Sequence, residues 1–180
     1  MVKTSLKGGK AMNEALKRLL KDVVFLRKVR KAGKMTALYG YESGFVVHKS
    51  DKKMHYGKIT LGNTSEWPPE SAERSSIYLP GKREGSLHFH PEKNEASLTP
   101  SAGDLNNLAN YKDSLIKSDK WMMIGIKDDL GIALLFLCPL HPVSFFETNL
   151  LFKEVELSSK EHLLSTLKEE FSIGAVIVRV

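Results

Sequence analysis

Cysteine is almost absent from this chain of 180 residues, and so are the runs that would place it in a membrane. The single cysteine, Cys138, excludes an intrachain disulfide and any zinc knuckle built from cysteine pairs. No apolar run reaches the roughly 18 residues that a membrane-spanning helix needs. The N-terminal segment lacks the apolar stretch of a signal peptide, so we expect a cytoplasmic protein without membrane contact.

Acidic residues are fewer than basic ones, 21 against 27, which leaves a net charge of +6. Much of the excess lies in the first third of the chain, at Lys17, Arg18, Lys21, Arg27, Lys28, Arg30, Lys31 and Lys34. No aromatic interleaving or DNA-binding motif accompanies these residues, so we expect a solvated helix face and no nucleic-acid partner. Such a face can still steer an acidic partner protein.

The length suits one compact domain, which we expect over residues 10–180 after a flexible tail over residues 1–9. Hydrophobic periodicity and turn residues predict the following elements. They are a helix over 10–32 that stops at Gly33, a strand hairpin over 35–48 and 54–61, a polar loop over 62–75, short strands at 77–79 and 85–90, a second polar loop over 91–102, a helix over 103–117, strands over 121–127 and 132–138, a weaker strand over 153–157, a helix over 159–170, and a strand over 175–180. This order predicts an α+β fold, a mixed β-sheet flanked by helices.

Two histidines stand two residues apart on the strand predicted at 85–90. Side chains at i and i+2 of a strand share a face, so His88 and His90 can bind one metal ion while Phe89 faces the opposite way into packing. Asp104 lies at the start of the next predicted helix, after a loop that can fold back over the strand end. Two imidazoles and a carboxylate with an open fourth position suit catalytic Zn²⁺. The pattern therefore predicts a zinc site on His88, His90 and Asp104.

His-Phe-His-Pro at 88–91, followed by Ser-Ala-Gly-Asp at 101–104, resembles the signature of the JAMM (MPN-domain) metalloproteases. That signature is an upstream glutamate, then His-x-His-Pro, then Ser-x-x-Asp. The order of the predicted elements also resembles the family over residues 10–138. Two features depart from its pattern: Phe89 stands where Ser or Thr is usual, and the loop between the second histidine and the aspartate is longer.

The resemblance implies a cytidine-deaminase-like α/β/α sandwich and hydrolysis of peptide or isopeptide bonds. The cut would follow the C-terminal glycine of a ubiquitin-like or sulfur-carrier protein, whose tail would add as a strand beside the metal-binding strand. It also implies Glu42 as the general base, with Glu66 and Glu70 as alternatives. Ser101 would stabilise the oxyanion, although a serine three residues before Asp104 is also typical of a helix N-cap.

Several other functions remain open at this level. A non-catalytic MPN-type scaffold would bind partner proteins, but such relatives usually lack part of the metal-ligand set. A peptidase that acts on small substrates would need no ubiquitin-like conjugate. A zinc nucleoside deaminase would need a Pro-Cys-x-x-Cys pair, which the chain lacks. A basic nucleic-acid-binding module could carry the two histidines by chance. The sequence leaves the oligomeric state open.

Overall fold

A computed structural model of the chain describes residues 10–109, 119–139, 160–169 and 173–180. Three of the sequence-based predictions lie outside these ranges: the tail over 1–9, the second half of the helix over 103–117, and the weaker strand over 153–157.

The described residues form helices around one β-sheet. In chain order the elements are α1 (Lys10–Lys21), α2 (Val23–Tyr39), β1 (Ser43–Ser50), β2 (Lys53–Tyr56), β3 (Thr60–Leu61), α3 (Pro69–Ser76), β4 (Lys82–Phe89), the 3-10 helix η1 (Glu95–Leu98), α4 (Ala102–Ala109), β5 (Trp121–Asp128), β6 (Gly131–Pro139), α5 (Lys160–Glu169) and β7 (Ile173–Arg179). The sheet has seven strands in the order β2-β1-β4-β5-β6-β7, and β3 also pairs with β1. Only β4 and β5 run parallel among the described pairs.

The predicted single helix over 10–32 is wrong, because the chain forms two helices that separate at Asp22. The Asp22 carboxylate accepts hydrogen bonds from the backbone N–H groups of Val24 and Phe25, at 2.8 and 3.1 Å. This contact is an N-cap, which satisfies donors that have no partner inside the helix. The hydroxyl of Tyr56 on β2 also donates to Asp22, so the cap is tied to the sheet.

Gly33 does not stop a helix, and the strand predicted from residue 35 begins only at residue 43. Gly33 is a buried position inside α2, where an added Cβ would lie 3.0 Å from the Phe89 ring. The glycine therefore lets α2 approach the sheet closely. The helix ends instead at Gly40, whose φ of 69° is a left-handed conformation that glycine adopts freely.

The polar segment predicted as a loop over 62–75 contains α3, and the strand predicted at 77–79 is the turn that follows this helix. Pro69 begins α3, where its missing N–H costs nothing. The helix packs on β1 through polar groups: the Ser75 hydroxyl accepts the backbone N–H of Val46 and donates to a carbonyl at Lys58. The polar composition of this segment is the reason that the sequence predicted a loop where the structure has a packed helix.

The later elements agree with the sequence-based predictions. β5 and β6 form the hairpin predicted around residues 128–131, and α5 and β7 occupy the predicted helix and strand near the C-terminus. β1 and β2 form the first predicted hairpin, with His48 opposite His55.

The sheet separates two hydrophobic cores, because successive strand residues face opposite sides. On β5, Met123 joins the core beneath α1 and α2, whereas Met122 and Ile124 join the core beneath η1, α4 and α5. Helices therefore cover both faces of a mixed, open sheet. The predicted α+β architecture is confirmed at this level.

The basic residues of the first third lie mainly at the surface. Arg27, Arg30, Lys31 and Lys34 are exposed on α2, as expected for a solvated face. Lys28 is half-buried and donates to the backbone carbonyl of Gly57 at 2.7 Å. None of the described helices combines the length and apolar character that crossing a bilayer requires.

Candidate metal centre

The candidate site forms where the start of β1 meets the end of β4. The two strands are antiparallel, and their register pairs Ser43 with Phe89 and Gly44 with His88. Glu42 immediately precedes β1 and His90 immediately follows β4. This pairing therefore brings Glu42 next to both histidines, although more than forty residues separate them along the chain.

Glu42, His88 and His90 form a group that could hold a metal ion. One ligand atom from each lies within 4.8 Å of the other two. The Nε2 atoms of His88 and His90 are 3.2 Å apart, and Oε1 of Glu42 is 3.8 Å from Nε2 of His90. Glu42 and His88 are buried, and His90 is largely so.

Asp104 approaches the same site from the first turn of α4. Its Oδ1 atom lies 3.4 Å from Nε2 of His88. Its Oδ2 atom accepts hydrogen bonds from the backbone N–H and the hydroxyl of Ser101, at 2.8 and 2.7 Å. One carboxylate oxygen is thus held by the chain, while the other lies near His88. Asp104 is not part of the group whose ligand atoms all lie within 4.8 Å of one another.

Ser101 is the N-cap of α4. Its hydroxyl accepts the backbone N–H of Asp104 at 3.1 Å, and its own backbone N–H donates to the Asp104 carboxylate at 2.8 Å. This reciprocal pair is a capping box. The alternative interpretation of Ser101, a helix cap, is therefore present. The predicted role in stabilising an oxyanion stays a prediction, and it would require the hydroxyl to turn away from Asp104.

The loop between β4 and α4 sets the tautomer of His90. Nδ1 of His90 is in hydrogen-bonding contact with the backbone carbonyl of Ser97. A carbonyl oxygen only accepts, so Nδ1 carries the proton and Nε2 presents its lone pair to the site. Asn94 holds Ser97 in turn, because its side-chain oxygen accepts the backbone N–H and the hydroxyl of Ser97 at 3.0 and 2.9 Å.

The burial and the charges of the site favour a bound cation. Burial first, and then the nearby carboxylates of Asp104, Glu92 and Glu66, together raise the pKa of Glu42 to about 8, against the lowering effect of the backbone N–H of Trp67. Burial lowers the pKa of His88, although Asp104 acts in the opposite direction. A buried carboxylate beside neutral imidazoles is unfavourable without a counter-charge, and a cation would supply one.

Other glutamates do not join this group. Glu66 is exposed and accepts a hydrogen bond from Asn63, and Glu70 is exposed at the start of α3. Glu84 forms an ion pair with Lys120 at 2.9 Å. Among the glutamates considered from the sequence, Glu42 is therefore the one that the fold brings to the histidines.

Phe89 faces away from the site, as predicted. Its side chain is fully buried in the core beneath α1 and α2, between Gly33 and Gly125. The bulky residue between the two histidines therefore occupies no part of the surface beside them.

The expectation that a substrate tail adds as a strand beside β4 is wrong. β4 lies between β1 and β5, and both neighbours are hydrogen-bonded to it. Its backbone groups are already paired, so a tail has no free edge to join there.

Sequence reasoning missed Trp67, which lies against the site. Its ring is stacked on His88, with centroids 6.3 Å apart and planes at 16°. A large aromatic residue in an otherwise polar segment, directly before two prolines, was the signal that could have identified it.

The other histidines that the structure describes in full, His48 and His55, lie on the first hairpin, and His48 is buried instead of exposed.

Comparison of the chain with known protein families, with curated proteins and with solved structures finds no match.

Proposed function

We propose that this protein is a zinc-dependent hydrolase of peptide or isopeptide bonds, with His88, His90 and Asp104 as the metal ligands. The observation that carries the proposal is the spacing of the ligand atoms of His90 and Asp104 around Nε2 of His88. A tetrahedral zinc ion with ligands at about 2.0–2.1 Å places neighbouring ligand atoms about 3.3–3.4 Å apart. The two Nε2 atoms are 3.2 Å apart, and Oδ1 of Asp104 is 3.4 Å from Nε2 of His88.

The proposal assigns Glu42 to proton transfer and Asp104 to ligation on the strength of the resemblance, although the ligand atoms that all lie within 4.8 Å of one another belong to Glu42, His88 and His90. The Oε1 atom of Glu42 is 3.8 Å from Nε2 of His90, longer than the tetrahedral spacing above. A pKa of about 8 without the metal shows how strongly the site disfavours the bare carboxylate. A nearby cation favours the ionised form, which brings the pKa toward the working range of a general base. Bound zinc would supply Lewis acidity, which polarises a carbonyl group and lowers the pKa of water.

The residues then have separate tasks. Glu42 removes a proton from the attacking water and delivers it to the departing amine. The hydroxyl of Ser101 turns from Asp104 toward the oxyanion, while the backbone N–H of Ser101 continues to hold Oδ2 of Asp104. The Nδ1–H group of His90 stays hydrogen-bonded to the carbonyl of Ser97 throughout. The lone pair on Nε2 of His90 therefore stays directed to the site.

We assign the chain to the JAMM (MPN-domain) metalloproteases, with a cytidine-deaminase-like sandwich, as part of this proposal. The order of elements supports it: helices and a hairpin, the strand that leads to both histidines, a loop, a helix that begins near Asp104, and a second hairpin, with α3 inserted between the first hairpin and β4. The Phe89 departure does not weigh against the site, because this side chain packs on the other face of the sheet.

The proposed substrate is a ubiquitin-like or sulfur-carrier protein cut after its C-terminal glycine. Because β4 has no free edge, the C-terminal tail of the substrate would approach across the end of β4. It would lie between the segment before α3 and the loop before α4. Glycines in such a tail would permit close approach to the buried ligands. The exposed cations on α2 would steer an acidic partner at low salt.

The test combines metal content with cleavage. Protein purified without added metal should contain close to one zinc ion per chain, and His88→Ala, His90→Ala and Asp104→Ala should each lose most of it. Wild-type protein should cleave Gly-Gly-tailed fusions or a lysine-linked conjugate, and a chelator should stop the reaction. Glu42→Gln should retain zinc but lose turnover by several orders of magnitude.

Different outcomes would separate the parts of this proposal. Stoichiometric zinc in all three ligand variants would overturn the metal site. Loss of zinc in Glu42→Gln would make Glu42 a ligand. Zinc-loaded wild-type protein that cleaves no conjugate or fusion would instead favour a scaffold whose metal ion holds the loop before α4.

A further inference from the structure

Trp67 contacts two of the groups proposed for the metal centre. Its ring stacks on the imidazole of His88, and the 6.3 Å separation of the ring centroids lies within the range of aromatic pairs. Its backbone N–H lies close enough to the Glu42 carboxylate to lower the pKa of that group. The same residue therefore touches a proposed ligand and the proposed base.

The surrounding chain holds Trp67 in place. Its indole N–H donates to Oγ1 of Thr60 on β3 at 3.0 Å, and that hydroxyl donates to the backbone carbonyl of Ser71 on α3 at 2.9 Å. Pro68 and Pro69 follow directly, and proline restricts both its own backbone and that of the residue before it. The indole is thus tied to a strand and to a helix that both belong to the body of the fold.

Gly44 provides the space for this ring. An added Cβ at Gly44 would lie 2.8 Å from the indole of Trp67 and 2.5 Å from the carbonyl oxygen of Leu87. Gly44 is also the cross-strand partner of His88. The indole therefore packs against β1 at Gly44, the residue that is paired with His88 of β4.

We propose that Trp67 is a positioning residue, which fixes the plane of the His88 imidazole and the place of the Glu42 carboxylate relative to each other. This inference rests on the proposed function, because it assigns Trp67 to that same metal centre. The stack restrains rotation of the His88 ring, and the backbone N–H restrains the carboxylate. Without the indole anchor both groups gain freedom, so zinc binds more weakly and proton transfer loses its alignment.

Ring orientation can be measured without metal or substrate. In metal-free protein, the carbon-bound ring protons of His88 should show a ring-current shift from the indole, assigned by their loss in His88→Ala. Trp67→Leu should abolish that shift, whereas Trp67→Phe should retain part of it because a stacked ring remains. Unchanged His88 signals in folded Trp67→Leu would overturn the proposal.

Zinc affinity, measured by competition with a chromogenic chelator, is the second readout. Trp67→Leu should bind zinc about tenfold to a hundredfold more weakly, which is usual for loss of a group that orients a ligand. Thr60→Val removes the indole anchor together with the hydrogen bond to the carbonyl of Ser71, and it should weaken binding about fivefold, the effect of the lost hydrogen bond to the indole. If Trp67→Leu does not fold, Thr60→Val decides, and wild-type affinity in that variant overturns the proposal.

Trp121 offers a matched control on the other face of the sheet, where it stacks on Phe136 with centroids 5.8 Å apart. Trp121→Leu should lower stability but leave the zinc affinity of folded protein unchanged. An equal loss of affinity in both tryptophan variants would show general destabilisation and overturn the inference. Wild-type protein that binds zinc but hydrolyses nothing would overturn the hydrolase proposal alone, since both readouts above are independent of turnover.

Discussion

At the scale of single residues, each proposed ligand is oriented by a different neighbour. The carbonyl of Ser97 accepts a hydrogen bond from Nδ1 of His90, and the indole of Trp67 is stacked beside the ring of His88. Ser101 binds one oxygen of Asp104. Supporting contacts of this kind fix the tautomer and direction of metal ligands. The supports come from two separate loops, so the precision of the site depends on both.

Asn94 permits a test of the support for His90. Asn94→Ala removes the two side-chain hydrogen bonds to Ser97 and leaves the backbone bond from Ser97 N–H to the Asn94 carbonyl, so the carbonyl of Ser97 should fix the His90 ring less firmly. We expect zinc affinity to fall about tenfold, with little change in overall stability. Titration against a competing chelator measures it, and Lys93→Ala, an exposed neighbour, serves as the control. Equal affinity in the two variants would contradict this support.

Glu42 should make the stability of metal-free protein depend on pH. Its pKa is about 8 in the folded state, against an ordinary value of 4.5. Between these values the folded state binds more protons than the unfolded state, so the stabilising effect present below pH 4.5 is lost as pH rises toward 8. The free energy of unfolding should fall by at most about 1.4 kcal/mol per pH unit.

Urea unfolding at several pH values, with a chelator present, measures this dependence. Glu42→Gln has no such titration, so the difference between variant and wild type should grow in favour of the variant as pH rises. Parallel curves for the two proteins would show that Glu42 titrates normally. Added zinc should weaken the dependence, because a cation favours the ionised carboxylate.

At the scale of elements, the metal-binding strand is fixed from its opposite face. The Phe89 ring lies between α2 and β5, at positions where both elements carry glycine. A Cβ at Gly125 would lie 2.7 Å from this ring, and one at Gly33 would lie 3.0 Å from it. These glycines explain how a phenylalanine fits between the two histidines. The packing also ties the end of β4 to α2.

Gly125→Ala should therefore destabilise the protein by about 1–3 kcal/mol, the usual cost of overpacking a filled core. Replacing the ring by a smaller side chain should relieve the contact, so Phe89→Leu should cost less in the Gly125→Ala background than in wild type. A double-mutant cycle of urea unfolding measures the coupling. Additive effects would mean that the two positions do not press on each other.

At the scale of the whole molecule, the site joins parts of the chain that are distant in sequence. Glu42 precedes β1, His88 lies near the end of β4 with His90 directly after it, and Asp104 lies on α4. β4 contributes Leu87 and Phe89 to the core beneath α1 and α2, whereas α4 contributes Leu105 and Leu108 to the core on the other face. A metal ion shared by β4 and α4 would therefore link the loop between them to the body of the fold.

Zinc should consequently raise the melting temperature. A ligand that binds only the folded state at about 100 times its Kd adds about 2.7 kcal/mol. For a domain of this size that corresponds to a rise of roughly 5–10 °C. Differential scanning fluorimetry with zinc and then with excess chelator measures the shift. His88→Ala should melt at one temperature under both conditions, and a zinc-dependent shift in that variant would place the ion elsewhere.

Local periodicity was enough to predict several features. Alternation along a strand places His88 and His90 on one face and Phe89 on the other, and this depends on backbone geometry alone. The hairpin of β5 and β6 follows from two apolar runs around a turn. Asp104 lies in the first turn of a helix, as Ser101 three residues earlier indicates. Each of these signals lies within a few residues of the feature that it predicts.

The tertiary structure decided what depends on distant contacts. Glu42 could not be separated from Glu66 or Glu70 by sequence, because only the register of β1 against β4 brings it to the histidines. From the sequence, Gly33 resembles a residue that ends a helix. In the structure it lies inside α2, where the absence of a side chain lets the Phe89 ring pack against the helix. The role of Trp67 depends on Gly44 of β1, because a side chain at that position would collide with the indole. The sequence by itself determined the spacing of the metal-binding residues, and long-range packing determined which side chains surround them.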